Sequence, residues 1–250
     1  MDKHRPYGIN DRYIQGYNMK THFDRELTRL KRDILSLGAL VETAVDRAVE
    51  AFSERDTTLA QEVIETEKEI NLREVEFEEE CLKIMALHQP VAGDLRRIIA
   101  YLKINNDLEK VGDLAVTIAR KAIFISTYKE HIKIDFEYPV MAEMSKKLLR
   151  ESLDALVNHD VKQAHKVLKQ DKELNKLKRK FREIIISKMK ADSKNADVYL
   201  RVHSFVRQLE RIGDMATNIC EDVIYIVSGK IVRHHVATDG LESEDSEYGQ

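Results

Sequence analysis

The sequence contains the same motif twice, first as Leu108-Glu-Lys-Val-Gly-Asp-Leu-Ala115 and again, 101 residues later, as Leu209-Glu-Arg-Ile-Gly-Asp-Met-Ala216. Each copy places two carboxylates four residues apart, with a glycine between them. Similarity repeated at one spacing indicates that a single structural unit has been built twice. We therefore expect a chain of two similar halves.

The composition favours long helices. Only 9 Gly and 3 Pro occur among 250 residues, while 34% of the residues are charged. This profile is typical of helices with charged surfaces and unusual for sheets. The formal net charge of −3 is close to balance, which argues against a nucleic-acid-binding surface. Cys81 and Cys220 lack the spacing of a metal or redox motif, so we expect reduced packing residues.

Targeting signals are not apparent in this sequence. The first 20 residues are polar and lack the apolar core of a signal peptide. No apolar run approaches the ~18 residues of a membrane-spanning helix. We therefore expect a cytoplasmic protein.

Apolar residues recur at helical spacing along most of the chain and predict six helices. The expected helices cover about 21–53, 57–88, 91–126, 140–157, 161–190 and 193–228. Short connections make neighbouring helices antiparallel, so each set of three should form a bundle. The predicted fold is all-α, with two similar three-helix bundles in tandem.

This pattern divides the chain into five segments. We predict an N-terminal extension at 1–20, a first bundle at 21–128 and a linker at 129–139. A second bundle follows at 140–230, and the remaining residues, 231–250, form an acidic tail that we expect to be disordered.

The repeated carboxylates should lie on the helix face opposite the apolar seam, beside an exposed glycine. Like charges four residues apart destabilise a helix by roughly 0.2–0.5 kcal/mol. An exposed glycine within a helix costs a further ~1 kcal/mol relative to alanine. A cation that approaches closely would explain why both features recur. A close helix contact at the glycine is the alternative.

The leading candidate metal ligands come from the two motifs: Glu109, Asp113, Glu210 and Asp214. Antiparallel neighbouring helices should add Glu67 and Asp171 at similar heights. Weaker candidates are Asn71, Asn175, Asn218 and Glu221. Oxygen ligands favour hard cations such as Mg²⁺, Mn²⁺, Ca²⁺ or iron, with Zn²⁺ tolerated.

Catalytic machinery is not evident in the sequence. The nine histidines are scattered and are expected at the surface. There is no nucleophile beside a base, no phosphate-binding glycine loop and no zinc-type spacing of Cys and His. We expect a protein that is not an enzyme.

The doubled motif, with Asn218-Ile-Cys-Glu221 after the second copy, resembles the PhoU family of phosphate transport and signalling regulators. The similarity extends to Gly38–Glu42, Asp94-Leu-Arg96 and Ile226-Val-Ser-Gly229. The resemblance implies two three-helix bundles whose acidic motifs hold metal ions on an outer surface. It also implies a cytoplasmic regulator without enzymatic activity.

The resemblance further implies the partners. They are the ATPase of a phosphate ABC transporter and a sensor histidine kinase that is kept inactive when phosphate is plentiful. Membrane contact would be peripheral, through these partners, and a homodimer is one further expectation. The leading hypothesis is a metal-binding adaptor that represses phosphate uptake and the phosphate-starvation response. The alternatives are a carboxylate-metal enzyme and a helical scaffold that works without metal.

Overall fold

The computed structural model of the protein describes residues 11–128 and 138–232, with side chains from residue 22 onward. Within these ranges the chain forms six α-helices, a short 3-10 helix and no strand. The helices are α1 (Asp11–Glu54), α2 (Thr57–His88), α3 (Ala92–Ser126), α4 (Tyr138–Asn158), α5 (Val161–Ala191) and α6 (Ala196–Ser228), with the 3-10 helix at Ser193–Asn195. The predicted all-α fold is confirmed.

Local capping explains several of the helix boundaries. The Asp56 carboxylate accepts hydrogen bonds from the amides of Thr58 and Leu59 at the start of α2. Asp160 caps α5 in the same way, through the amide of Gln163. These contacts satisfy amides that the helix itself leaves unpaired. Gly229 ends α6 in the left-handed conformation that glycine adopts readily.

Two boundaries differ from the sequence prediction. Helix α1 begins at Asp11, not near residue 21, so it extends into the segment assigned to the N-terminal extension. Helix α4 begins at Tyr138, with Pro139 in its first turn, where a missing amide hydrogen does no harm. Residues 129–137 of the predicted linker and 233–250 of the predicted tail lie outside the described residues.

Each half of the chain forms an antiparallel bundle around its third helix. Helix α3 packs against α1 and α2, and α6 packs against α4 and α5. The two central helices also pack against each other, which joins the bundles through one continuous apolar core. At this junction the rings of Phe52 and Phe205 stack with their centroids 3.8 Å apart.

The predicted apolar seam of α3 is buried along its whole length. Its residues are Tyr101, Ile104, Leu108, Val111, Ala115, Ile118, Ala122 and Ile125. Because α3 and α6 each contact several helices, residues outside the seam are buried as well, among them Leu114 on α3 and Val206 on α6. The short turns after α2 and α5 set these helices beside α3 and α6, and thereby bring the candidate ligands together. No described helix is sufficiently long and apolar to cross a membrane.

Candidate metal centres

The second half of the chain brings three predicted ligands together between α5 and α6. Asp171 lies on α5, and Glu210 and Asp214 lie one turn apart on α6. The Asn175 amide donates a 2.7 Å hydrogen bond to Asp171 Oδ2. The other oxygen, Asp171 Oδ1, is buried and has no hydrogen-bond partner. A buried carboxylate oxygen without a donor is a favourable position for a cation, because its desolvation is otherwise uncompensated.

The electrostatics of this cluster disfavour three bare carboxylates. Burial, followed by the charges of Glu210 and Asp171, raises the pKa of Asp214 from 3.8 to about 6. Burial and the charge of Glu210 also raise the pKa of Asp171. A bound cation would reverse both effects, because opposite charge favours the ionised form. Lys178 compensates part of the charge through an ion pair with Glu210.

The first half assembles the equivalent carboxylates between α2 and α3. Burial raises the pKa of Glu109, and the charges of Asp113, Glu74 and Glu67 raise it further. Glu67 contacts the guanidinium of Arg120 at 3.6 Å. Asp113 is exposed, whereas its counterpart Asp214 is half-buried. This cluster therefore has carboxylates at the same positions as the second, with Glu67 in place of Asp171, but it is more exposed to solvent.

Glu74 was missed by the sequence reasoning. It lies seven residues after Glu67 on α2, hence on the same helix face, and it acts on Glu109 electrostatically. The signal was available: aligning α2 with α5 through Glu67 and Asp171 places Glu74 opposite Lys178. Glu74 therefore adds a negative charge beside the first cluster, whereas Lys178 adds a positive charge beside the second.

All six predicted ligands thus fall into two groups of three carboxylates, one in each bundle. In neither group do three ligand atoms lie within 4.8 Å of one another in the described structure. Holding one ion through all three would require the carboxylates to turn towards each other. The all-oxygen donor sets fit hard cations such as Mg²⁺ or Mn²⁺.

The expectation that the two glycines are exposed is wrong. Gly112 and Gly213 are both buried, facing the neighbouring helix. A Cβ atom at 112 would lie 3.0 Å from Ile70 Cδ1, and one at 213 would lie 2.6 Å from Leu174 Cδ2. Close helix packing therefore accounts for both glycines.

Gly213 has a second effect that Gly112 lacks. A Cβ atom at 213 would also lie 3.1 Å from the unpartnered Asp171 Oδ1. The missing side chain therefore leaves room for a carboxylate oxygen of the candidate site.

The weaker candidate ligands lie in different surroundings. Asn71 is exposed on α2, and Asn175 is the hydrogen-bond donor to Asp171. Asn218 and Glu221 line a cavity of about 660 Å³ on the surface where α6 meets the first bundle. Glu74 and Glu78 line the same cavity.

A second cavity, of about 580 Å³, lies between α5 and α6 and has a basic lining. Its basic side chains are Lys178, Arg179, Arg182, His203 and Arg207. Burial, followed by the charges of Arg207, Arg182 and Lys178, lowers the pKa of His203. The basic side chains therefore lie close enough to repel one another.

The fold and the paired acidic clusters define a tandem helical-bundle protein with a carboxylate cluster at corresponding positions in each half. The model of the PhoU domain matches residues 34–122 and 139–223, which correspond to the two bundles. These matches cover most of the chain, and the protein belongs to the PhoU family.

Relatives and solved structures agree with this assignment. The chain is 35% identical over 227 residues to the phosphate-specific transport system accessory protein PhoU homolog 1 of Thermotoga maritima, covering 90% of this chain and 98% of the relative. It is 31% identical to the Escherichia coli accessory protein PhoU, covering 92% and 96%. The crystal structure of PhoU from Pseudomonas aeruginosa superposes with a TM-score of 0.81 at 36% identity, covering 83% of this chain and all of that one.

A second crystal structure extends the fold similarity. The phosphate transport system regulatory protein PhoU from Streptococcus pneumoniae superposes with a TM-score of 0.78 at 28% identity. The match covers 85% of this chain and all of that one.

Proposed function

We propose that this protein is a cytoplasmic, metal-binding adaptor that represses phosphate uptake and the phosphate-starvation response. The relatives are named as accessory or regulatory proteins of phosphate transport. The observation that carries the metal part of the proposal is the carboxylate cluster present in both copies of the PhoU domain. The partners we propose are the ATPase of a phosphate ABC transporter and a sensor histidine kinase, with a homodimer as a further assembly.

In this proposal each bundle would hold cations through its own acids. Glu67, Glu109 and Asp113 would serve the first site, and Asp171, Glu210 and Asp214 the second. The ion would be a hard divalent or ferric cation, such as Mg²⁺, Mn²⁺ or iron, with Zn²⁺ tolerated. It would neutralise carboxylates whose pKa values burial and mutual repulsion raise.

The experiment is a phosphate-starvation reporter measured in phosphate-rich medium, in cells that lack the native gene. The wild-type chain should restore repression. A variant with Glu109→Gln, Asp113→Asn, Glu210→Gln and Asp214→Asn should leave the reporter active while retaining its helical circular dichroism. The matched control removes four exposed acids elsewhere, through Glu54→Gln, Glu143→Gln, Glu173→Gln and Glu183→Gln, and should repress normally.

A helical scaffold that needs no metal is the second candidate, and two observations favour it. Lys178 already pairs with Glu210, and neither cluster has three ligand atoms within 4.8 Å. Full repression by the four-acid variant, together with loss of its bound metal, would establish the scaffold. If the wild-type chain itself fails to restore repression, the proposed role in phosphate regulation is wrong.

A further inference from the structure

Three side chains of the first bundle meet where the N-terminal part of α1 passes the C-terminal end of α2. His22 and Glu26 lie four residues apart on α1 and therefore share one face. His22 Nδ1 is 3.4 Å from Glu26 Oε1, and Glu26 Oε2 is 2.6 Å from Nε2 of His88, the last residue of α2. Among the described residues this is the only group of three His, Cys, Asp or Glu whose ligand atoms all lie within 4.8 Å.

The sequence-based expectation of surface histidines is wrong for His88. Its side chain is only 10% exposed, and that of Glu26 is 16% exposed. The His88 ring packs against Phe23 at 5.2 Å and stacks on His22 at 5.8 Å. These ring contacts hold His88, at the end of α2, against α1.

Hydrogen bonding does not account for the buried atoms of this group. Glu26 Oε2 and His88 Nε2 are both sealed from solvent, and neither makes a hydrogen bond of acceptable geometry. The two atoms contact each other at 2.6 Å, but not in the geometry of a hydrogen bond, so this contact replaces only part of the hydration that each loses on burial. A ligand shared by both atoms would satisfy them together.

We propose that His22, Glu26 and His88 form a binding site for Zn²⁺ or a similar divalent transition metal, with water as the fourth ligand. Two ligand atoms on one tetrahedral zinc ion, each ~2.0–2.1 Å from it, lie roughly 3.3 Å apart. The 3.4 Å between His22 Nδ1 and Glu26 Oε1 already meets this requirement. His88 Nε2 lies 2.6 Å from the other oxygen, Glu26 Oε2, so the carboxylate has to turn for a single oxygen to share the ion with both imidazoles.

This site differs in chemistry from the two carboxylate clusters. Two imidazole nitrogens and one carboxylate favour borderline metals, whereas clusters of oxygen alone favour hard ones. His22 is 65% exposed, which leaves one side of the ion open to water. The ion would fasten α1 to the end of α2, beside the turn at Gln89.

Cobalt(II) is the probe, because a four-coordinate site with nitrogen ligands absorbs visible light far more strongly than six-coordinate binding by oxygen. The titration uses the full chain without an affinity tag. To remove other sites, the chain carries His234→Ala, His235→Ala and the four-acid substitution defined above. We expect one Co²⁺ per chain with an intense visible band, displaced by one equivalent of Zn²⁺.

Two variants test the ligands individually in this background. His22→Ala alters an exposed side chain, and His88→Gln keeps a polar group in the buried position, so both should fold. Each should weaken Co²⁺ binding by at least about tenfold, since losing a direct ligand should cost no less than losing a hydrogen-bond partner of a ligand, which is about 10–100-fold. His165→Ala on α5 is the matched control and should bind as the background does. An absent band, or a band that survives either substitution within about threefold, overturns the proposal.

Discussion

The two copies of the repeated motif have the same acids, but a neighbouring charge has opposite sign in the two halves. Glu109 and Asp113 in the first half correspond to Glu210 and Asp214 in the second. On the neighbouring helices, Glu74 corresponds to Lys178. Glu74 raises the pKa of Glu109, whereas Lys178 forms an ion pair with Glu210. The repeat has therefore kept its candidate ligands and reversed a charge beside them.

This difference indicates that the two candidate sites are not equivalent. The first cluster carries a fourth carboxylate and lies in a wetter environment, with Asp113 exposed. The second is more deeply buried, and a lysine already compensates part of its charge. If both clusters hold cations as proposed, the first should bind them more tightly. The second should bind them with competition from protons and from Lys178.

The largest expected effect comes from removing the motif acids of one half at a time. Glu109→Gln with Asp113→Asn, and separately Glu210→Gln with Asp214→Asn, should each remove about one site of bound metal per chain, because each change deletes two of three anionic ligands. Elemental analysis after metal loading measures this. Glu54→Gln with Glu183→Gln is the control of equal charge. Unchanged metal content in both test variants would show that neither carboxylate cluster binds the metal.

Exchanging the charges beside the sites should bring their affinities together. Glu74→Lys should weaken Mn²⁺ binding at the first site by about tenfold, because reversing one charge near a divalent ion has this effect after screening by water and salt. Lys178→Glu should strengthen the second site by a similar factor. Calorimetric titration, with the other site removed, provides the constants.

The matched controls for the exchange are Glu76→Lys and Lys180→Glu, which make the same charge changes at exposed positions of α2 and α5. They should alter the affinities less than about threefold. Equal effects from controls and test variants would mean that overall charge, and not position, governs binding.

The raised pKa of Asp214 predicts a pH dependence in the metal-free protein. Since this pKa is about 6 in the folded chain and 3.8 in its ordinary state, the folded form holds the proton more tightly. The free energy of unfolding should therefore fall as the pH rises from about 4 to 6. Asp214→Asn should raise the stability at pH 7 by roughly 1 kcal/mol, allowing for solvent screening, and have little effect at pH 4.

Urea unfolding at the two pH values, with chelator present, measures this stability difference. Asp113→Asn is the control in the first half, and its effect should be smaller because Asp113 is exposed. If Asp214→Asn raises the free energy of unfolding equally at pH 4 and pH 7, the raised pKa of Asp214 is contradicted.

The smallest effect concerns the glycines. Alanine at either position gains up to ~1 kcal/mol of helix propensity. Gly112→Ala should be nearly neutral, because Ile70 needs to move by only a few tenths of an ångström. Gly213→Ala should lower the stability by about 1 kcal/mol, since the new methyl group overlaps Leu174 and crowds Asp171. Thermal unfolding compares them, and a stabilising Gly213→Ala would refute the close contact.

The sequence predicted the six helices, the tandem bundles and the proximity of Glu67 to Glu109, because helical periodicity and short turns determine these features. It did not predict the surroundings of Gly112 and Gly213. Whether a helix face meets solvent or another helix depends on how α3 and α6 pack. Each of them packs against three other α-helices, and one apolar seam in the sequence does not reveal all three contacts. The group of His22, Glu26 and His88 was missed because His88 lies 62 positions after Glu26, on a different helix.

The inequality of the two carboxylate sites is tested most directly by anomalous X-ray diffraction. Crystals of the metal-free protein would be soaked with a limiting amount of Mn²⁺. We predict a strong anomalous peak among Glu67, Glu109 and Asp113, and a weaker peak among Asp171, Glu210 and Asp214. Peaks of equal height, a stronger second peak or no peak at either cluster would contradict the predicted inequality.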